Sequence, residues 1–490
     1  MPRTVPESLG APTPAPPAPP PSPSPRTRGV TFLIALLERL LPAPISQRVV
    51  ALLLHQGTAG TAAKGSIAAL VINAAGMVVS FAVQASLTRA LGPIDYGTYS
   101  VVLVGMNMAL LFTKVELDIV TTRFVGAYTA VRDWSRLHGL LRIVPRRVFA
   151  TSVAVALVGV VLLWALRKSR YEHSVPAGLV ATSLLVLTGQ LRLQGAALQG
   201  FKRVVHAQLP NLVLRPAVFL AIVWLMILSG FRFGPASAIG FNAVATLVAI
   251  LVASSYLHRA KPAGVNEAPV KDEWKTWLRA GYSLVFISAA QLLLSDGTSV
   301  LLVAFLLGRS DTAYYSVASQ MAIFVAFAST AVMFIVAPLI AELYAKKQLD
   351  TLRRFARAAT TVCFAASLLL LLGIAIFGEM LLGVFGKTFP GAYPVMMVLG
   401  VSHFVSASIG ALAGWLMTMT GHERAAAWMI GGSGLLQIGL SFPLTAAYGI
   451  MGTASASLIA IVARSIMLSI FLHRRLGIVM LPALPKTLRA

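Results

Sequence analysis

The chain has 490 residues, of which 57% are hydrophobic and only 11% are charged. A soluble domain carries about 25% charged residues, so this composition excludes a soluble enzyme and a soluble binding module. The formal net charge is +24, but the lysines and arginines lie between apolar runs instead of on one soluble module, which argues against a nucleic-acid partner. Apolar runs of about 18 or more residues recur along the chain, and they predict an all-α polytopic membrane protein.

The chain begins with a segment rich in Pro, Ala and Ser. Residues 1–28 contain almost no large apolar side chains and cannot repay the entropy of ordering, so we predict a disordered cytoplasmic tail. Residues 29–63 include Thr31–Leu41, which is too short to span a bilayer and too apolar for a linker. We expect an interfacial amphipathic segment there, lying on the inner leaflet with Arg39 and Arg48 near the phosphates.

Apolar segments from Ser66 onward predict about twelve transmembrane helices in two pseudo-symmetric lobes of six. The predicted spans are 66–88, 98–122, 146–166, 176–199, 207–229, 236–257, 280–305, 313–341, 358–377, 391–419, 425–446 and 450–472. The predicted organisation is an N-lobe at 64–257, a cytoplasmic hinge at 258–279, a C-lobe at 280–475 and a cytoplasmic tail at 476–490. Two tryptophans near the end of the hinge, Trp274 and Trp277, suit the membrane interface.

The connecting segments alternate strongly in charge. If the N-terminus is cytoplasmic, the inner segments hold 29 of the 40 Lys and Arg residues, the outer loops hold 7, and four lie within spans. One outer loop dissents, because it contains Arg167, Lys168 and Arg170. The positive-inside rule still predicts that both termini are cytoplasmic.

One short sequence occurs twice, 216 residues apart, as Leu91–Ser100 and Leu307–Ser316. Each copy lies between two long apolar runs, and four residues agree in step: Gly92 and Gly308, Asp95 and Asp311, Tyr99 and Tyr315, and Ser100 and Ser316. Gly and Asp interrupt helices, and tyrosine is common at headgroup level, so each copy predicts a turn between two membrane helices with a tyrosine anchor. The repeat therefore predicts two related halves around an interface, a plan typical of transporters.

Polar residues at helical spacing lie within two predicted spans. Span 1 carries Asn73, Ser80 and Gln84 on one face, and span 7 carries Gln291 on a polar face beside Asp296. Helix–helix hydrogen bonding and the lining of a water-filled cavity both explain such stripes. An ionised carboxylate within a span costs roughly 2.5–3.5 kcal/mol, so Asp296 should face a partner or water, and it is the candidate for ion coupling.

Four cations also lie within spans: Lys114, Arg192, Arg215 and Arg464. Counted along each helix from its inner end, they share a depth of about 12–14 Å. Exposing all four to lipid would cost on the order of 10 kcal/mol. They therefore either snorkel or pair locally, or they form the cationic floor of a cavity open to the cytosol.

The functional interpretation of these cations is phosphate binding. Guanidinium groups donate paired hydrogen bonds to phosphate oxygens. Arg215 precedes Pro216, so its span should be kinked where it presents the arginine. Lys114 is the least certain member, because Glu116 and Asp118 lie close enough in sequence to neutralise it.

Several motifs together resemble the polysaccharide biosynthesis, or oligosaccharide flippase, family, within the superfamily of multidrug, oligosaccharidyl-lipid and polysaccharide exporters (MOP, MATE-like). The resemblance covers about residues 64–475. Its motifs are Thr88–Tyr99, Leu117–Asp118, Arg123–Val125, Asp133–Trp134 with Arg136–Leu137, Asp296, Leu307–Gly308, Tyr315 and Tyr448–Ala454. Lys114 and Glu116 depart from the family pattern.

The resemblance implies a flippase that works by alternating access in the bacterial inner membrane. Its implied substrate is an undecaprenyl-pyrophosphate-linked oligosaccharide for O-antigen, capsule or exopolysaccharide synthesis, and no cofactor is implied. The implied partners are the lipid bilayer and this polyprenyl-pyrophosphate-linked oligosaccharide. Coupling to H⁺ or Na⁺ and a complex with a polysaccharide polymerase or glycosyltransferase remain open, and a monomer is the default.

Three other function classes remain. A cation-coupled multidrug antiporter of the same superfamily is the principal alternative, but the buried charge here leans positive. A membrane glycosyltransferase or ligase is disfavoured by short outer loops and the lack of a clustered Asp or His pair in the sequence. A non-transporting scaffold stays open. We expect no catalytic residue and no metal ligand, since the single cysteine, Cys363, lies within an apolar run.

Overall fold

The computed structural model describes residues 58–166, 172–345, 348–478 and 480, and these ranges contain helices and turns but no strand. The predicted tail at 1–28 and all but the last six residues of the predicted interfacial segment at 29–63 lie outside the described residues. Long apolar segments form helices because a helix satisfies every backbone hydrogen bond within itself, as a bilayer core demands.

Within the described ranges, the N-lobe is built from α1 Thr58–Lys114, α2 Leu117–Ala130, α3 Trp134–Leu166, α4 Val175–Gly200, α5 Val204–Leu209, α6 Arg215–Leu228 and α7 Pro235–Ala260. A π-helical turn, Pro210–Leu214, joins α5 to α6. The C-lobe is built from α8 Trp274–Leu293, α9 Asp296–Leu306, α10 Arg309–Ala345, α11 Leu349–Gly383, α12 Tyr393–Val405, α13 Ala411–Met419, α14 Glu423–Tyr448 and α15 Ile450–Leu476. A second π-helical turn, Ser406–Gly410, joins α12 to α13.

The predicted spans coincide with these helices. In the described part of the chain, nine helices are long and apolar enough to cross a membrane, and α8 with α9 provides a tenth as a bent pair. The helix α1 has non-helical backbone at Gly92 and so supplies two of the predicted spans, and α10 occupies the predicted eighth span. The structure confirms an all-α multi-pass membrane protein of about twelve spans.

Two predicted spans are interrupted, which corrects the expectation of continuous helices. The helix predicted at 98–122 ends at Lys114 and restarts at Leu117, because Val115 and Glu116 adopt positive φ of 46° and 55°. Gly281 of α8 packs against this break, where an added Cβ would lie 2.5 Å from the Val115 carbonyl oxygen. The helix predicted at 280–305 bends by 54° between α8 and α9.

The second interruption has a capping residue. The side chain of Ser295 accepts a hydrogen bond from the backbone N–H of Thr298, 3.4 Å away, so α9 begins with its own N-cap. Asp296 follows in the first turn, where a carboxylate interacts favourably with the helix dipole. The continuous apolar pattern of 280–305 predicted a single helix, and the N-cap at Ser295 was therefore not predicted.

The two copies of the repeated sequence form turns, as predicted. Gly92 and Gly308 adopt φ of 72° and 145°, the region that glycine tolerates best. Asp95 follows the first turn closely, and Asp311 lies in the first turn of α10. Both positions suit a helix N-terminus.

The tyrosines of the repeat do not anchor the protein at headgroup level, so that expectation is wrong. Tyr99 is 6% exposed and Tyr315 is fully buried. Both belong to a hydrophobic core built from the two lobes together. The reason is that the two turns face the other lobe, whereas the sequence alone suggested that they face lipid.

The lobes share a core at one end of the molecule and have separate cores at the other. The joint core contains Leu87 and Tyr99 of the N-lobe together with Val317 and Phe385 of the C-lobe. Near the predicted inner loops, one core consists of N-lobe residues with Trp277, and another consists of C-lobe residues. The largest core that the two lobes share therefore lies toward the predicted outer side.

The segment 261–273, which joins the lobes, is attached to the N-lobe. The Arg136 side chain of α3 donates from Nε to Glu273 Oε1 at 2.7 Å. Trp277 is fully buried, and its indole N–H donates to the Tyr128 hydroxyl at 3.1 Å. The expectation that Trp277 lies at the membrane interface is wrong, because the start of α8 is part of the N-lobe core.

Candidate functional site

A cavity of about 410 Å³ lies between the lobes, next to the joint core. Both arms of α1, the α5–α6 region and α7 line it from the N-lobe, and α9 and α10 line it from the C-lobe. Counted along these helices, the cavity lies at the middle of the membrane and in its predicted outer half. A site at the interface of two repeats near the bilayer midplane is typical of secondary transporters.

The lining follows the internal repeat. Five pairs of lining residues are each separated by 216 positions: Ser80 and Asp296, Gln84 and Val300, Ser100 and Ser316, Leu103 and Ser319, and Val104 and Gln320. The repeat detected at the turns therefore continues into the cavity wall. The halves differ in charge, because Asp296 stands where the N-lobe has Ser80.

The predicted polar stripe of span 1 divides between two environments. Ser80 and Gln84 line the cavity, and Gln84 accepts a hydrogen bond from the Tyr96 hydroxyl at 2.8 Å. Asn73 does not line it and instead donates to the Ala69 carbonyl at 2.7 Å. Gln291 is exposed on α8 and is likewise not part of the cavity wall.

Arg215 is the cation that the structure brings to the cavity wall. It begins α6 directly after the π-helical turn Pro210–Leu214, so the predicted kink takes the form of a widened turn. Its Nε donates to Asn242 Oδ1 of α7 at 3.0 Å. None of the ion pairs within the described residues involves Arg215. Within the described residues its guanidinium is therefore held by a neutral amide and not by a carboxylate.

The other three predicted cations do not line this cavity. Arg192 is exposed on α4 and is absent from the cavity wall. Lys114 is neutralised, with Nζ 2.8 Å from Asp118 Oδ2 and 3.3 Å from Glu116 Oε1. Arg464, on α15, donates to Ser406 Oγ of the second π-helical turn at 2.8 Å. The four cations lie at a similar depth along their helices, but only Arg215 lines this cavity within the described residues.

Asp296 lines the C-lobe side of the cavity at the start of α9. Its Oδ2 lies 3.3 Å from Nε2 of His403 on α12, within ion-pair distance. The Asp296 side chain is 29% exposed and the His403 side chain 12% exposed. The carboxylate therefore faces both a partner and the open space of the cavity.

Sequence reasoning missed three polar residues at this site. Asn242 positions Arg215, Gln320 donates to the Tyr96 hydroxyl at 3.4 Å, and His403 faces Asp296. Each of the three is a polar residue within an apolar run, which could have marked it as a candidate. Its partner, however, lies on a helix distant in sequence. Only the packing reveals these pairs.

The cavity is closed on the predicted outer side by contact between the two repeated turns. Gly97 of α1 packs directly on the backbone carbonyl of Arg309 at the start of α10, and a Cβ at residue 97 would collide with it. Phe81 packs edge-on against Phe324, with ring centroids 6.1 Å apart, and against Phe385, with centroids 5.2 Å apart. The two lobes are therefore in contact on the predicted outer side of the cavity.

A family model for polysaccharide biosynthesis proteins matches residues 62–344, more than half of the chain. The chain belongs to this family. No curated protein matches the sequence. The family assignment agrees with the resemblance identified from the motifs.

Solved structures show the same fold. An inward-facing multidrug resistance MATE family transporter of the MOP superfamily is similar at a TM-score of 0.69 and 13% identity, covering 84% of this chain and 98% of that one. The outward-facing conformation of such a transporter gives 0.58 at 14% identity, over 87% and 98%. A MOP superfamily transporter from Pyrococcus furiosus, described as having a binding pocket of reverse polarity, gives 0.56 at 14%, over 90% and 98%. This member of the polysaccharide biosynthesis family therefore has a MATE-like fold.

Proposed function

We propose that this polysaccharide biosynthesis protein is a flippase that moves lipid-linked oligosaccharide repeat units from the inner to the outer leaflet of the bacterial inner membrane. The lipid carrier is a polyprenyl pyrophosphate. Alternating access moves the substrate, with the cavity between the lobes as the binding site. The product supplies the synthesis of a surface polysaccharide such as O-antigen, capsule or exopolysaccharide.

The observation that carries the proposal is Arg215 in the wall of the cavity, held by the Asn242 amide instead of by a carboxylate. An arginine without an acidic neighbour in a membrane protein is costly unless a ligand or water solvates it. Its planar guanidinium suits the paired oxygens of a pyrophosphate.

The contact between the two repeated turns supports loading of the substrate from the inner side. In the state described, the joint core closes the predicted outer side of the cavity. An inside-negative potential favours outward movement of negative charge by about 2.3 kcal/mol per charge per 100 mV. The proposed topology has both termini cytoplasmic, with the N-lobe at 64–257 and the C-lobe at 280–475.

A cation-coupled multidrug antiporter is the second candidate. Asp296 in the cavity, together with Tyr96, Tyr99 and Phe219, offers the carboxylate and aromatic groups that an organic cation needs. Arg215 in the same wall opposes a cationic substrate, which makes this candidate the weaker one.

The proposed function is tested by Arg215 variants in a strain that lacks the chromosomal gene. Arg215→Ala should cause lipid-linked oligosaccharide to accumulate on the inner leaflet, because hydrogen bonds to a charged group contribute about 1.5–3 kcal/mol, roughly ten- to hundred-fold in binding. Arg215→Lys should reduce export partially, since the charge stays and the paired geometry is lost. Export is measured from labelled lipid-linked intermediate extracted from the cells.

The matched control is Arg232→Ala, which removes an exposed arginine from the loop after α6. That variant should export at the wild-type rate. The deletion strain without any copy of the gene should accumulate the intermediate. No accumulation in that strain, or normal export by Arg215→Ala at normal protein level, would contradict the proposed function.

A further inference from the structure

A second cavity of about 440 Å³ lies in the C-lobe, outside the inter-lobe site. Its walls come from the end of α12 with the adjoining π-helical turn and from one face of α15. Residues of α15 line it at steps of three and four from Val462 to Arg474. At 1.5 Å per residue this stripe is about 18 Å long. We call this cavity the C-lobe groove.

The C-lobe groove is apolar along its length and basic at one end. Val405 and Ile409 face Ile466 and Ile470 across it, and these two isoleucines of α15 are 53% and 48% exposed. His473 and Arg474 line its end in the last turn of α15. That turn belongs to the predicted inner boundary of the membrane, so the basic end lies at headgroup level.

The corresponding helices of the N-lobe have a smaller and more polar cavity. The fourth and sixth spans, α4 and α7, pack face to face through Leu191, Ala249 and Ala253, all buried. A cavity of about 120 Å³ remains at their predicted inner ends, lined by Leu198, Arg203, His206, Tyr256, Arg259 and Ala260. In the C-lobe the tenth span contains the π-helical turn Ser406–Gly410, and a π-turn adds a residue to one helical turn and often marks a functional position. The larger and more apolar of the two spaces therefore lies in the C-lobe.

Two hydroxyl groups in the groove also lack partners. Ser465 Oγ and Ser469 Oγ are buried, line the groove and have no hydrogen-bond partner among the described residues. A buried polar atom without a partner costs about 1–3 kcal/mol, which a bound group or water would relieve.

Resting on the proposed function, we propose that the C-lobe groove holds the phosphate-proximal part of the polyprenyl chain of the lipid-linked substrate, with its pyrophosphate at His473 and Arg474. The apolar wall matches the chain, and the basic end matches the phosphates. The end of the groove at Val405 lies two residues from His403, whose Nε2 is 3.3 Å from Asp296 Oδ2 in the wall of the inter-lobe cavity. The groove therefore gathers the substrate at the inner leaflet, one step before the headgroup reaches Arg215.

The test uses the purified full chain in vesicles of phosphatidylethanolamine and phosphatidylglycerol. The probe is a polyprenyl pyrophosphate with a photoreactive diazirine near its phosphate end, and labelled peptides are identified by mass spectrometry. We expect label on α15 between Val462 and Arg474, displaced by excess unlabelled polyprenyl pyrophosphate but not by added phosphatidylglycerol. Ile470→Trp, which fills the groove, should abolish this labelling, and Arg474→Ala should weaken it.

Two variants serve as matched controls. Met467→Trp adds the same bulk at an exposed position of α15 that does not line the groove, and Arg475→Ala removes the neighbouring exposed arginine. Both should be labelled as the wild type is. Displacement by phosphatidylglycerol, equal labelling of Ile470→Trp, or absence of label from α15 would each overturn the groove. The proposed function is judged separately, because the deletion strain reports export whether or not the groove is labelled.

Discussion

The four cations within the spans differ in what compensates their charge. Lys114 has two carboxylates within 3.3 Å, those of Glu116 and Asp118. These carboxylates compensate its charge, and the three residues lie at the break between α1 and α2. Arg464 has a serine hydroxyl, and Arg215 has an amide. Removing one partner of a buried ion pair costs about 3–5 kcal/mol, so Lys114 is a structural residue. Arg215 has no such pair to lose and is free to serve a ligand.

Single residues were predictable from the sequence only where their partners are close in sequence. The positions of Glu116 and Asp118 in the sequence predicted that they compensate the charge of Lys114. Pro216 predicted the altered helix at Arg215. The pairing of Asp296 with His403 was not predictable, because more than a hundred residues separate them. The sequence pattern of each apolar run does not indicate which other helix it contacts. Tertiary packing alone brings the two together.

The Asp296 and His403 pair gives a prediction about coupling. Arg215 and Asp296 are the charged residues that line the inter-lobe cavity within the described ranges, and His403 faces the carboxylate at 3.3 Å. If the pair takes up the coupling ion, Asp296→Asn should slow export and abolish its dependence on pH or sodium, since the amide keeps the size but loses the charge. Export is measured at several external pH values with and without sodium.

The second variant of this prediction separates a proton from a metal cation. His403→Gln should remove a pH dependence but leave a sodium dependence, because glutamine keeps a polar side chain at this position but does not take up a proton. Glu379→Gln, on α11 and away from the cavity lining, is the control. The coupling role is wrong if Asp296→Asn, at normal abundance, keeps the ion dependence of the wild type.

At the scale of elements, helix positions followed from the sequence and helix contacts did not. Gly92 and Gly308 marked the turns correctly because glycine signals act locally. The burial of Tyr99, Tyr315 and Trp277 was missed because an aromatic residue next to a span suits either lipid headgroups or a protein interface. The hydrophobic pattern of a span does not say which face meets another helix.

The contact of α1 with α10 predicts how the outer entrance can be held open. Gly97 leaves no room for a Cβ against the Arg309 carbonyl, so Gly97→Val should prevent the two turns from meeting and favour the outward-open state. A reporter cysteine, Ser80→Cys in a Cys363→Ala background, lies in the cavity wall. Its labelling by a membrane-impermeant maleimide from the outer side should increase in the Gly97→Val protein.

The control for this prediction lies on the same arm of α1. Gly105→Val adds the same side chain where nothing lies within 4 Å of the new Cβ. Its reporter cysteine should be labelled as in the protein with Gly97 intact. Equal labelling of the two valine variants would mean that the contact between the turns does not control access.

At the scale of the whole molecule, the hydrophobic cores and the charged loops both distinguish one end of the helices from the other. The joint core includes Phe385 and Phe389 after α11, whereas the C-lobe core at the other end includes Leu352 and Ala356 near its start. The sequence predicted the two halves because their turns repeat. It could not predict at which end the lobes share a core, since that depends on contacts between helices distant in sequence.

The last prediction tests which end of the molecule faces the cytosol. The helix α11, Leu349–Gly383, has 35 residues and is about 52 Å long, longer than the roughly 30 Å hydrocarbon core, so its ends lie on opposite sides of the membrane. Arg353, Arg354 and Arg357 are near one end and Lys387 follows the other, so a reporter fused after Arg357 should be cytoplasmic and one fused near Gly386 should be external. Because Phe385 belongs to the joint core, an external Gly386 also means that the closed entrance is the outer one. The opposite pattern would place the closed entrance in the cytosol and would reverse the proposed direction of loading.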